Sequence, residues 1–144
     1  MQLDLFLHSA DVTLRNAVIA ALCARDAEAM RMAMDRLLAE FPNDRNNEDF
    51  EHLYSELSVL SQEAGSAPAI AQRVECIETR LRPPLQKMIG TDAAQHWIEA
   101  VYGQLAHMAS GLAFSRSLAQ AHAGGLLLRA NELAQARAAV LTIP

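Results

Sequence analysis

Glu48, His52 and Glu56 stand at successive i, i+4 positions, a spacing that stacks two carboxylates and an imidazole along one face of a helix. Both groups are ligands for divalent transition metals, so this is the nearest approach to a metal stripe in the chain. The same three residues also describe an ordinary solvated helix face, and that is the expectation. His96, Glu99 and His107 fall roughly on one face of a later helix, beside Trp97. They too read as an exposed polar stripe. Arg73, Arg80, Arg82 and Lys87 make a modest basic patch, in which Glu78 is placed to pair with Arg82 one turn away.

Other chemistry is missing. The sequence has no glycine-rich phosphate loop, no zinc-type cysteine pairing, no nucleophile elbow and no pair of Glu-x-x-His segments for a di-iron bundle. No catalytic residue, metal site or cofactor is expected, and the chain is read as a non-enzyme. An enzyme with a helical-bundle active site is the competing class. Its mark would be a polar pocket joining His96 or His107 to a carboxylate from another helix.

The elements that would carry these residues are helices. Over 144 residues, 51% are hydrophobic but only 5% aromatic, so alanine, leucine and methionine supply the apolar surface. These are helix formers. The net charge of −5 is uneven: residues 1–72 hold twelve acids and five bases, residues 73–144 five acids and seven bases. An acidic front half disfavours direct nucleic-acid binding, which needs clustered positive charge. Eleven of the twelve bases are arginine, read with the alanine content as the codon habit of a GC-rich genome. Cys23 and Cys76 sit in apolar stretches and are expected to be buried, reduced thiols. The start lacks the charged and apolar regions of a signal peptide. The longest uncharged stretch, 100–115, is too short and too polar to span a bilayer. A cytoplasmic location with no membrane partner is the expectation.

Apolar spacing predicts about seven short helices in antiparallel hairpins, an all-α fold. The first is expected after Ser9, with Leu14, Val18, Ala21 and Leu22 inward. Asp26 caps the second, whose face is Met30, Ala33, Met34, Leu37 and Phe41, and Pro42 ends it. Phe50, Leu53, Tyr54, Leu57 and Leu60 mark the third. The stretch 63–68 is the clearest linker, and Ser66 with Pro68 opens the fourth, carrying Ile70, Val74, Ile77 and Leu81. Pro83-Pro84 is expected to stop it, and a short apolar turn then closes on Gly90. Thr91 or Asp92 caps a fifth helix carrying Ile98, Val101, Leu105, Met108 and Leu112, and two more lie either side of Asn131. Residues 1–9 are taken as an extended arm and 10–144 as one helical domain.

Residues 111–144 resemble a tetratricopeptide repeat. Gly124 falls at the small position of the first repeat helix and Leu127 at the large one after it. Asn131 stands at the turn position, usually glycine, because asparagine tolerates a left-handed backbone. Ala136 takes the small position of the second helix and Val140 the bulky one. Residues 14–42 are similar in part: Leu14, Ala17, Val18, Ala21, Met34, Leu37 and Pro42 fit, while Arg25 replaces the turn glycine and Met30 an alanine. Residues 43–110 show no repeat, and an irregular helical bundle is the alternative. The resemblance implies a non-catalytic scaffold that holds a protein partner in a groove. The mode that clamps a C-terminal carboxylate is not expected, because Ile19 and Gly125 stand where it needs asparagine.

Gln2-Leu3-Asp4-Leu5-Phe6 is similar at all five positions to the pentapeptide by which bacterial proteins bind the replicative sliding clamp. That resemblance implies an adaptor whose two apolar side chains fill a pocket on the clamp. The alternative is that Leu3, Leu5 and Phe6 fold back onto the first hairpin. Helical arrays normally end on a helix with a polar outer face, whereas the sequence stops at Pro144, directly after the second helix of its best repeat. A homodimer, another partner or a longer chain is therefore expected.

Overall fold

The computed structural model describes the backbone of residues 2–114 and 116–143, with side chains for all of these except 2–9, 117 and 120. Every regular element among them is helical, and the fold is all-α. The chain forms two compact units, Met1–Ser61 and Gln62–Pro144, where the sequence reading took 10–144 as one domain. The boundary falls at the start of the linker.

The front unit holds α1 (Gln2–Cys23), α2 (Ala27–Glu40) and α3 (Asn47–Leu60), each packed on the next. Helix α1 runs from Gln2, so residues 2–9 of the arm expected to be extended are helical instead. Val18, Leu22, Met30, Leu37, Phe50, Leu53 and Leu57 form the core, as the apolar spacing predicts. Asp26 caps α2 by accepting the Ala29 N–H at 2.9 Å. Arg15 reaches from α1 to Asp11 and, at 3.3 Å, to the half-buried Asp44 in the turn after α2. The second contact pairs charges without the alignment of a hydrogen bond. In the same turn Asp44 accepts the Asn46 N–H at 2.9 Å, and Asn47 donates to the carbonyls of Phe41 and Pro42.

The back unit runs α4 (Ala67–Cys76), a π-helical turn (Ile77–Leu81), α5 (Arg82–Ile89), α6 (Thr91–Ala109), a kinked 3-10 segment (Arg116–Ala121), α7 (Ala123–Arg129) and α8 (Leu133–Val140). Pro83-Pro84 does not stop the fourth helix. Two prolines remove two N–H donors and crowd the carbonyls four residues back. The chain accommodates them by widening to i→i+5 bonding, with the Arg82 N–H on the Ile77 carbonyl, and continues as α5 with the prolines in its first turn. Gly90, at φ +90°, then redirects the chain into α6 and stands at its N-cap, so neither Thr91 nor Asp92 caps that helix. Ile70, Ile77, Leu81, Leu85, Trp97, Ile98, Tyr102, Leu105 and Leu126 fill the core.

Two expectations about single residues are corrected. Cys23 is exposed and Cys76 half-buried, because each lies one residue, about 100° of helix, away from its buried stripe at Leu22 or Ile77. Arg73 belongs to no exposed patch. It is buried, and its guanidinium donates to the linker carbonyls of Gln62 and, at 3.4 Å, Glu63. Burial without a carboxylate partner lowers its pKa.

Candidate functional site

An apolar surface concavity lies on the α1–α2 hairpin. A groove of about 450 Å³ runs between Leu14, Ala17 and Ala20 of α1 and Ala29, Met32 and Ala33 of α2. Arg36 is the one charged residue among its described lining residues. The sequence creates it by putting small side chains where a tighter hairpin would put large ones, so the two helices leave a trough along their outer side. Ala17, Ala20 and Met32 are exposed in it.

The turn that holds this hairpin is a Schellman motif. The Asp26 N–H reaches back to the Ala21 carbonyl at 3.1 Å and the Arg25 N–H to the Leu22 carbonyl at 3.0 Å. Arg25 takes φ +55° to make it. The same construction closes the α7–α8 hairpin, with Glu132 N–H to the Leu127 carbonyl at 2.9 Å and Asn131, at φ +62°, to Leu128 at 3.1 Å. There Gly124 approaches α8 closely: a Cβ on it would lie 2.7 Å from Val140 Cγ2. Ala136 is buried and Leu127 half-buried.

The polar residues sort differently. Glu48 and His52 are exposed on α3 and Glu56 is half-buried, and no group of three or more metal-ligating side chains is assembled among the described residues. Glu78 and Arg82 pair as expected, Nε to Oε2 at 2.9 Å and Nη2 to Oε1 at 3.0 Å. The pair is part of a larger network that spacing alone does not reveal. Tyr102 donates its hydroxyl to Glu78 Oε1 at 2.5 Å, and Arg82 also donates to Gln95 at 2.8 Å. Gln95 donates to Glu99 at 2.9 Å, and His96, itself exposed, lies 3.5 Å from Glu99. The Arg129 guanidinium sits 5.5 Å from the Tyr102 ring centroid. The hydrogen bond from Arg82 holds the Glu78 carboxyl below its usual range, against the opposing effect of burial. Burial first, and then Glu78, push the Tyr102 phenol well above its usual range. Tyr102 is almost fully buried, and the network acts as a lock between α5, the π-helical turn and α6. The signal that would have found it is a tyrosine on the apolar stripe of α6, since a buried phenol needs a partner.

His107 and His122 line a second concavity of about 320 Å³ at the end of α6, together with Ser110, Gln135 and Thr142. His122 is the N-cap of α7: its Nδ1 accepts the Gly124 N–H at 3.2 Å, and Phe114 meets its ring edge-on. No carboxylate is among the described lining residues, so His107 is not joined there to an acid. His96 is elsewhere on α6, beside Glu99 one turn on.

Gln2, Leu3, Asp4, Leu5 and Phe6 occupy the opening turns of α1, and their side chains lie outside the described residues. Whether they fold back onto the hairpin therefore also lies outside them. No described helix is long and apolar enough to cross a membrane. Comparison with protein-family models, curated proteins and solved structures finds no match to this chain.

Proposed function

We propose that this chain is a non-catalytic, cytoplasmic protein–protein interaction module built of tetratricopeptide-like helical hairpins, using the α1–α2 groove as its docking surface. The observation that carries the reading is the groove itself. It is apolar, large enough for a row of side chains, and lined from both helices of the hairpin. The i, i+3, i+4 spacing of its lining suits a helical segment laid along it. The polar clusters support the same reading, since the Glu78–Tyr102 network is spent on holding helices together.

The test is affinity capture with the natural chain and with Ala17→Lys/Ala20→Lys, which fills the groove at two exposed positions. A partner recovered by the first and lost by the second is the expected outcome. Equal recovery by both sinks the assignment of the groove.

A second reading rests on the residue types of Gln2–Phe6, all five of which suit the bacterial sliding-clamp pentapeptide. The clamp reads such a segment extended, so docking requires the first turns of α1 to unwind. A chain carrying alanine at Gln2, Leu5 and Phe6 should then lose a purified bacterial clamp that the natural chain retains. No retention by the natural chain at high concentration removes this reading.

A further inference from the structure

Helix α7 is capped by a residue type that rarely serves there. Serine, threonine, aspartate and asparagine are the usual N-caps, and each offers an oxygen that accepts throughout the neutral pH range. An imidazole nitrogen accepts only while it carries no proton. His122, with its backbone extended at φ −74° and ψ 139°, accepts the Gly124 N–H on Nδ1 at 3.2 Å. That bond fixes the ring, because a neutral imidazole with a bare Nδ1 carries its proton on Nε2. Phe114 holds the ring edge-on, 5.4 Å between centroids. Protonation would undo the cap twice over. It turns the acceptor into a donor aimed at another donor, and it sets a cation at a helix N-terminus, where free N–H groups make it unfavourable.

The surroundings do not compensate such a charge. In the concavity beside His122, α6 contributes His107, α8 and the turn after it contribute the neutral Gln135 and Thr142, and no carboxylate is among the described lining residues. His107 lies in the last turn of α6, where a helix end favours a cation, so acid adds a like charge to the same concavity. Arg116 of the 3-10 segment is exposed, Arg129 lies in the last turn of α7, and Glu132 and Arg137 are exposed outside that lining. The helix that would lose its cap has little in reserve, being seven residues long with two of them glycine. We propose that His122 is a pH-sensitive latch on the α7–α8 hairpin: its neutral imidazole caps α7, and its protonation frees the start of that helix and loosens the hairpin. The contribution to stability is present above the range in which histidine changes charge and is lost as pH falls through it.

The experiment is an NMR titration of the isotopically labelled full chain from about pH 8 to about pH 5, paired with Trp97-monitored unfolding in denaturant at those two values. At the alkaline end the His122 ring should carry its proton on Nε2, and the Gly124 amide should shift together with the ring as the second proton binds. A ring protonated on Nδ1 at the alkaline end, or a Gly124 amide that ignores the ring, overturns the proposal. In unfolding, the natural chain should lose about fivefold in its folded-to-unfolded ratio at the acid end, the usual size of a lost cap. His122→Asn caps with an oxygen and should lose much less. His122→Ala should start about fivefold lower and fall little further. His107→Gln should keep most of the natural loss. A His122→Asn chain that falls as steeply as the natural one, or a loss abolished by His107→Gln alone, would place the pH response elsewhere and overturn the proposal.

Discussion

The two hairpins that begin and end the described chain solve one problem with opposite strengths. Both turn on a Schellman motif with a left-handed residue, Arg25 in front and Asn131 behind. The front hairpin puts a residue there whose Cβ resists that conformation, but follows it with Asp26, whose carboxylate caps α2. The back hairpin puts a tolerant asparagine there, but follows it with Glu132, which makes no capping bond to α8. The front helices are long and bury Val18, Leu22, Met30 and Leu37. The back helices, Ala123–Arg129 and Leu133–Val140, are too short to persist on propensity and depend on close approach at Gly124. A local turn can therefore recur under quite different packing.

The largest expected effect tests that dependence. Gly124→Val forces Cβ against Val140 Cγ2 and crowds the His122 Nδ1 that caps α7, so it should cost about 1–3 kcal/mol, the usual range for overpacking. Trp97, the only tryptophan, is buried in the back unit and reports its unfolding. Adding Val140→Ala should recover most of the loss. If it recovers none, the crowding lies at His122 and α7–α8 approach is not what limits this hairpin.

The caps come next. Asp26→Ala should destabilise the front unit by about 1 kcal/mol in denaturant unfolding, and Glu132→Ala should change the back unit little. Glu132→Asp should stabilise the back unit by about 0.5–1 kcal/mol by supplying the bond that Asp26 already makes. Equal losses from the two alanine variants would erase the contrast. At the left-handed positions, Arg25→Gly should stabilise by about 0.5–1 kcal/mol, strain relief exceeding the added entropy of the unfolded chain. Asn131→Gly should be near neutral. A destabilising Arg25→Gly would mean that the arginine side chain supplies more than its backbone costs.

The same contrast bears on what the sequence disclosed. Stripes at 3–4 spacing located the cores, and Asp26, Ser66 and Pro42 marked helix ends, because burial and capping act locally. Asn131 announced its turn because its side chain tolerates the conformation. Arg25 did not, since tertiary packing of α1 on α2 imposes that conformation on a residue with no preference for it. Pro83-Pro84 misled for a related reason: prolines break α bonding, but a π-helical turn absorbs them when both flanks are packed. The groove was invisible as a site, since alanines in a helix signal propensity before shape. Tyr102 finding Glu78, twenty-four residues away, needed the fold. For Gln2–Phe6 only residue types speak.

The smallest effect separates the units by pH. Glu78 has its folded pKa lowered, so it contributes stability that is present above its ordinary value of about 4.3 and is lost as pH falls through the folded value. Tyr102 has its folded pKa raised, so its contribution is present below its ordinary value of about 10 and declines as pH rises past it. Glu78 is partly exposed, which screens the pair and keeps the acid limb shallow. Trp97-monitored stability of the back unit should therefore lose one contribution below about pH 4 and another above about pH 10. Glu78→Gln should flatten the acid limb, and Tyr102→Phe the alkaline one. Tyr102→Phe keeps the ring under Arg129 and removes only the hydroxyl, so an alkaline limb of unchanged steepness in that variant would show that the phenol is not the titrating group. A loss of equal size in the front unit, followed through Tyr54, would show that the lock is not confined to the back half.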